Sequence, residues 1–409
     1  MGLVVQKFGG TSVGSAERIK NVAERVMEEK QRGNDVVVVV SAMGKTTDDL
    51  VKLAGELAER PSKREMDVLL STGEQITISL LAMALNAKEV DAVSFTGWQA
   101  GIQTEPVHGN ARILNIEAEK IQEQLKIGKV VIVAGFQGVT EDGAITTLGR
   151  GGSDTTAVAL AAALKADKCD IYTDVTGVFT TDPRYIKNSR KLLSVSYDEM
   201  LELANLGAGV LHPRAVEYAK NYQVPLVVRS SMEREEGTII EEEVSMEQNL
   251  VVRGVAFEDN ITSVTVSGLK DPLTSLSTIF TTLAAHHINV DIIIQSLTDQ
   301  QTMNVSFSIK DSDLEETIKV LEENKGALSF EKVTSEQGLA KVSIVGSGMI
   351  SNPGVAADMF KVLAAEDIVI KMVSTSEIKV STVIVKEKMV QAVEALHDAF
   401  ELSSVPVIA

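Results

Sequence analysis

Cysteine occurs once in the 409 residues, at Cys169. No intramolecular disulfide can form, and a reducing cytoplasm is the compartment such a chain suits. The thiol stands just before an apolar run, in Asp167-Lys168-Cys169-Asp170-Ile171, and reads as a small buried hydrophobe rather than a nucleophile. Five dispersed histidines offer no metal-ligand spacing, which argues against a His/Cys metal centre. No uninterrupted apolar run approaches the roughly 18 residues that span a bilayer. The opening Met1-Gly2-Leu3-Val4-Val5-Gln6 has neither the basic start nor the long apolar core of a signal peptide, and Gln6 falls where a myristoylation motif needs Ser or Thr. No membrane partner is expected. Positive charge is scarce: 39 Lys plus Arg stand against 57 Asp plus Glu, a net charge of -18, without a basic patch. That excludes a nucleic-acid partner, and the acidity itself reads first as solubility.

What is present is ordinary globular composition, 44% hydrophobic and 23% charged. At about 150 residues per domain the length calls for two to three domains. Up to about residue 230, β-rich runs alternate with helical patterns. Strands are expected at Val4–Phe8, Val36–Val40, Ala92–Phe95, Val130–Val133, Asp170–Thr173 and Pro225–Val228. Helices are expected at Ala16–Gln31, Lys45–Glu59, Met66–Leu85, Ala111–Leu125, Asp154–Leu164 and Ser196–Ala204. Strands separated by helices imply crossovers, so the fold class is α/β, a three-layer domain with a mainly parallel central sheet. Ligands of such sheets bind at the carboxyl ends of strands.

The segment Glu233–Glu247 then carries seven Glu against one Arg and reads as a solvated linker. Beyond it the chain repeats itself at a period of about 80 residues. Ser263-Val264-Thr265-Val266-Ser267-Gly268 resembles Lys341-Val342-Ser343-Ile344-Val345-Gly346, with turns at Pro272 and Pro353; Leu283-Ala284-Ala285-His286-His287-Ile288 resembles Leu363-Ala364-Ala365-Glu366-Asp367-Ile368. Two βαββαβ units are the simplest reading. The expected domains are 1–240, 250–335 and 336–409.

Glycine-rich segments next to strands hold the candidate chemistry. In Lys7-Phe8-Gly9-Gly10-Thr11-Ser12 the glycines let the backbone approach a phosphate, the coming helix offers its amides and Lys7 adds a compact charge; a plain strand-to-helix turn is the alternative. In Leu148-Gly149-Arg150-Gly151-Gly152-Ser153-Asp154-Thr155, Asp154 and Thr155 suit a helix cap, whereas Arg150 among glycines suits a carboxylate or phosphate. Thr173-Asp174-Val175-Thr176-Gly177-Val178-Phe179-Thr180-Thr181-Asp182-Pro183-Arg184 could hold a sugar and phosphates, or form a turn at Asp182-Pro183. Ser71-Thr72-Gly73-Glu74-Gln75 and Val40-Ser41-Ala42-Met43-Gly44-Lys45-Thr46-Thr47 are weaker signals. Val345-Gly346-Ser347-Gly348-Met349-Ile350-Ser351 nearly fits a dinucleotide fingerprint, but Ser351 replaces its last glycine.

Taken together these segments, with Leu211-His212-Pro213-Arg214, resemble the aspartokinases of the amino-acid kinase family, and the tail resembles paired ACT domains. The resemblance implies ATP-dependent phosphorylation of the β-carboxylate of L-aspartate, with Mg²⁺ as cofactor and no protein ligands assigned to the metal. It implies that Lys7, Phe8, Gly9 and Gly10 meet the ATP phosphates and that Thr173, Asp174, Phe179 and Arg184 form the rest of the nucleotide side. Ser41, Thr47, Glu74, Arg150, Gly151, Gly152, Ser153 and Asp154 would surround aspartate, with Lys7, Arg150 and Asp154 as the catalytic set, Glu74 facing the ammonium and Arg150 a carboxylate. The ACT resemblance implies feedback by an end-product amino acid, lysine alone or lysine with threonine, at Asp271, Asn289, Asp291 and Gln295, and the pattern leaves the choice of effector open. It also implies a homo-oligomer, or an α₂β₂ assembly with a separate tail started at Met246. A kinase acting on glutamate, acetylglutamate or UMP, and a non-enzymatic amino-acid sensor, are the competing readings. The presence of Lys7, Arg150 and Asp154 argues against the sensor.

Overall fold

Five consecutive valines, Val36–Val40, are wholly buried, as a strand covered on both faces requires. They lie in the centre of an eight-stranded sheet. The computed structural model describes residues 2–207, 209–242, 251–271, 273–297 and 302–404. The chain forms two compact units, one of Met1–Phe179, Lys191–Asn205 and Gly209–Asn249, the other of Thr180–Arg190, Leu206–Ala208 and Leu250–Ala409.

The first unit contains strands β1 (Leu3–Phe8), β2 (Asp35–Val40), β3 (Ala92–Phe95), β4 (Ile102–Thr104), β5 (Ile113–Ile116), β6 (Val130–Ala134), β7 (Gln137–Val139), β8 (Ile145–Thr147), β9 (Lys168–Thr173), β10 (Ser194–Ser196), β11 (Leu226–Ser230) and β12 (Thr238–Glu241). Its helices are α1 (Ala16–Gln31), α2 (Thr46–Leu57), α3 (Lys63–Asn86), α4 (Glu119–Lys126), α5 (Gly152–Leu164), α6 (Tyr197–Asn205) and α7 (Pro213–Tyr222). The large sheet runs β10-β12-β11-β9-β1-β2-β6-β3, parallel throughout except for the β11–β12 pair. A smaller four-stranded sheet, β5-β4-β7-β8, stands apart. One core joins Phe8, Val36, Val38, Val40, Ile132 and Tyr172 to Ile19, Val22 and Val26 of α1 and Ile78, Leu81 and Leu85 of α3. By length and composition α3 alone among the described helices would pass for a membrane span. It is instead a core helix of this unit, and it carries Asp67 and Glu74 on its buried side.

The expected helix over Ala111–Leu125 is divided: Ile113–Ile116 is β5, paired antiparallel with β4, and the helix covers only Glu119–Lys126. Isoleucines at 113, 116 and 121 fit a helical period and a short strand equally, and pairing with β4 decides between them.

The second unit contains β13 (Gly254–Leu269), α8 (Ser275–Ala285), β14 (Ile293–Leu297), β15 (Met303–Lys310), α9 (Leu314–Glu323), α10 (Lys325–Leu328), β16 (Lys332–Val345), α11 (Val355–Ala365), β17 (Met372–Thr375), β18 (Lys379–Val385) and α12 (Met389–Ala399). The two repeats share one six-stranded antiparallel sheet, β14-β15-β13-β16-β18-β17. Strand sharing is the departure from two separate units. The second half of β13 pairs with β15 and with the first half of β16, while its first half, from Gly254, pairs with the second half of β16. Accordingly Val252 and Val255 pack in one core with Val342, Ile384 and Leu396, and the first repeat has its own core around Val264, Phe307 and Leu321. The turn at Pro272, the internal start at Met246 and most of the segment between residues 242 and 250 lie outside the described residues.

Candidate active site

Lys7 is the penultimate residue of β1, a strand flanked by β2 and β9. Its ammonium lies 2.6 Å from Asp154 Oδ1, with side chains only 11% and 12% exposed. That oxygen has no hydrogen-bond partner, so the pair is held by charge at an angle off the hydrogen-bond direction. Asp154 sits in the first turn of α5, whose N-cap is Gly151, and no side chain caps the helix. The capping role suggested for Asp154 and Thr155 is therefore corrected: Asp154 faces Lys7, and Thr155 Oγ1 donates back to Gly151 O. The preceding loop turns through left-handed backbone at Gly149 (φ 76) and Gly151 (φ 67). A Cβ at Gly151 would fall 2.1 Å from the ring of His212, so both dihedral and space require glycine there.

Opposite stands α3. Asp67 and Glu74, seven residues apart, lie about two turns from one another on the same face, and both are buried. Glu74 Oε1 accepts from the Ala42 amide at 3.1 Å, while Oε2 has no partner. Burial pushes this carboxyl up to about 8, against the smaller pull of backbone hydrogen bonds from its own residue and Ala42. Asp67 is saturated by comparison. It takes His108 Nδ1 at 2.7 Å, the Gly109 amide at 3.1 Å and Thr147 Oγ1 at 2.6 Å, and so ties the 108–110 loop and β8 to the helix.

Between these walls lies an open cavity of about 730 Å³. It is lined by Lys7, Gly10, Ser41, Thr47, Glu74, Arg150, Gly151, Gly152, Ser153 and Asp154, together with Lys63, Asp67, His108, Asn110, Phe136 and Thr147. All eight residues expected around the acceptor therefore share one wall system with Lys7. The nucleotide residues are less concentrated. Phe8 is wholly buried and stacks on Tyr172 at 4.4 Å, which leaves only its backbone for a ligand. Gly9 donates its amide to Tyr172 O at 3.3 Å, so that N–H ties the loop to β9. Gly10 meets the cavity directly, in the turn Gly10–Val13. Thr173 and Asp174 follow β9, Thr173 Oγ1 donating to Asp174 Oδ1. Phe179 bridges to Lys191, outside the cavity lining. Arg184 is 82% exposed, grips Asp182, and belongs with Thr180–Arg190 to the second unit. In the same unit Thr180 meets His397 Nε2 at 2.9 Å and Ile186 enters the core.

Asp67, His108, Asn110 and Thr147 were not identified from the sequence. The triplet His108-Gly109-Asn110 is a loop signature, but nothing in spacing reveals its partner 41 residues away on α3. In the tail, Asp271 accepts from the Leu273 and Thr274 amides and from Thr274 Oγ1, Asp291 pairs with Lys341 at 2.5 Å, Gln295 Nε2 lies 3.5 Å from Met303 Sδ, and Asn289 is exposed.

The amino acid kinase family matches residues 2–230, and the ACT domain matches 264–324 and 342–400. The chain is 77% identical over 403 residues to an aspartokinase of Bacillus sp. (strain MGA3), covering 98% of each. To aspartokinase 2 of Bacillus subtilis (strain 168) it is 71% identical over 406 residues, 99% of each. Among solved structures it resembles E. coli aspartokinase III in complex with aspartate and ADP, with TM-score 0.82, 29% identity, and coverage of 97% of this chain and 99% of that one. The lysine- and aspartate-bound T-state of the same enzyme gives a TM-score of 0.77 at the same identity and coverage.

Proposed function

The chain belongs to the amino acid kinase family and, within it, to the aspartokinases, and on that premise we propose how its cavity performs the transfer. ATP donates its γ-phosphoryl group to the β-carboxylate of L-aspartate, giving 4-phospho-L-aspartate and ADP, the first step toward lysine, threonine and methionine. The observation that carries this reading is a single cavity in which a buried carboxyl without a partner on one oxygen, Glu74, and a guanidinium, Arg150, stand beside the paired Lys7 and Asp154. A zwitterionic acceptor needs an anion for its ammonium and a fork for its carboxylate, and the phosphoryl donor needs the lysine.

The chemistry follows from charge. The acceptor carboxylate has a reference pKa of about 3.9, so it arrives ionised and no general base is required. One P–O bond forms to a carboxylate oxygen as the bond from the γ-phosphorus to its bridging oxygen breaks, and the leaving charge stays on ADP. The obstacle is repulsion, about 4 kcal/mol between unit charges 4 Å apart at an effective dielectric of 20. Lys7 offsets it at the phosphates, held in place by Asp154. Arg150 aligns the acceptor, Glu74 takes its ammonium, and Ser41, Thr47 and Ser153 offer hydroxyls. Among the described residues no group of three or more His, Cys, Asp or Glu gathers to hold a metal, while Asp154, whose Oδ1 lies 2.6 Å from the Lys7 ammonium, is the carboxylate on the wall beside that lysine. This suits Mg²⁺ carried on the phosphates with one protein carboxylate near it. When bound, the ion draws negative charge from the transferring group.

Lys7, Gly10, Thr173 and Asp174 are the nucleotide contacts this reading keeps from the first unit. An end-product amino acid, lysine alone or lysine with threonine, is taken to act on the second unit near Asp271, Asn289, Asp291 and Gln295. Assembly through the ACT repeats, as a homo-oligomer or as α₂β₂, and a cytoplasmic setting complete the proposal. Lys7→Ala is expected to lower kcat by at least about 10²-fold in a folded protein. Steady-state kinetics and circular dichroism on the purified variant check this, and a near-normal kcat would remove Lys7 from the phosphate site.

A further inference from the structure

The loop that carries Arg150 has a support that lies outside the cavity. Arg214, in the first turn of α7, donates from Nη1 to Leu148 O at 2.9 Å and from Nη2 to Ala111 O at 2.7 Å, and Nη1 also reaches Asn110 Oδ1 at 3.5 Å. One guanidinium thus holds two of the chain segments that line the cavity, with Asn110 from one and Gly149, Arg150 and Gly151 from the other. The same turn makes a second contact, because the His212 ring fills the space that a Cβ at Gly151 would need. His212 Nδ1 accepts from the Arg214 amide at 3.3 Å, and Pro213 opens the helix, so the turn is fixed before it meets the loop. Among the described residues Arg214 has no carboxylate within ion-pair distance, although Glu105, Glu217 and Arg112 lie near enough to act through their charge. The half-buried guanidinium is held by carbonyls, whereas the Lys7 ammonium is paired with the carboxylate of Asp154.

We propose that Arg214 is a positioning residue for the acceptor site, setting the Leu148–Gly151 loop so that Arg150 meets the carboxylate of the incoming amino acid. This rests on the assignment of Arg150 to the acceptor. Misplacing an aligning group by about 1 Å loses rate by about 10²-fold, so the loss should fall on the acceptor and spare the nucleotide.

The test is steady-state kinetics on the full-length enzyme with Arg214→Met, Arg214→Lys and Arg150→Lys, with thermal midpoints measured alongside. Arg214→Met is expected to raise the KM for aspartate by about tenfold or more while the KM for ATP stays within about twofold. Arg214→Lys can reach one carbonyl but cannot bridge two, and should give a smaller shift in the same direction. It also decides the matter if the methionine variant does not fold. The proposal fails if folded Arg214→Lys, and Arg214→Met where it folds, leave the aspartate KM unchanged, or raise both KM values together, while Arg150→Lys raises the aspartate KM alone. If Arg150→Lys itself leaves the aspartate KM unchanged, the assignment of Arg150 fails first, and the positioning role falls with it.

Discussion

Glu74 is the residue whose environment makes the sharpest demand. A carboxyl pushed up to about 8 by burial is roughly nine-tenths protonated at pH 7, yet an ammonium ligand favours its ionised form. Binding must then release a proton, and the KM for aspartate should fall as pH rises from 6 toward about 8 and level off above that. Kinetics between pH 6 and 9 check this, and Glu74→Gln should flatten the profile while raising the KM. A flat wild-type profile would contradict the role. The same group affects stability with a determined sign. Its folded value lies above the ordinary value of 4.5 for a free glutamate, so the contribution present below about 4.5 is lost as pH rises toward about 8. The thermal midpoint of Glu74→Gln should gain on wild type over that window. Lys7 and Arg150, which line the cavity, were legible as candidates because a long cation among glycines has few structural uses. Asp67 was not, since its chemistry depends on donors 41 and 80 residues away.

At the scale of elements, the Gly149–Gly151 loop shows how local backbone and distant packing combine. Gly151 combines a φ of 67 with a site that admits no Cβ because of His212. Gly151→Ala should displace the loop or the ring and lower kcat/KM for aspartate by about 10²-fold. Thermal melts and kinetics separate this from unfolding; a folded variant with unchanged kcat/KM would show the loop to be adaptable. The large elements were readable because each satisfies one period along its whole length: β2 as an unbroken apolar strand, α1 as an amphipathic helix over Ala16–Gln31. The small sheet was not, because β4, β7 and β8 have three residues each, too few to display any period. The shared strands of the second unit were hidden for another reason. A repeat in sequence specifies two similar folds and leaves open which repeat supplies each strand of the common sheet.

At the scale of the whole molecule, an acidic chain of net charge -18 that acts on two anionic reactants needs cations gathered in one place. The sequence suggested Lys7, Arg150 and Arg184 for that purpose. Arg184 belongs to the second unit, paired with Asp182, and Arg214 is a further cation, holding the loop that carries Arg150 through Leu148 O. Function and regulation also divide along the two units, since every residue lining the cavity lies in the first and the ACT matches lie in the second. Transfer to the side-chain carboxylate of aspartate is measured directly by trapping the acyl phosphate with hydroxylamine. The purified full chain with ATP and Mg²⁺ should form the hydroxamate with L-aspartate at a rate at least about 10²-fold above that with L-glutamate or no acceptor. Equal rates with aspartate and glutamate, or none with either, would contradict it.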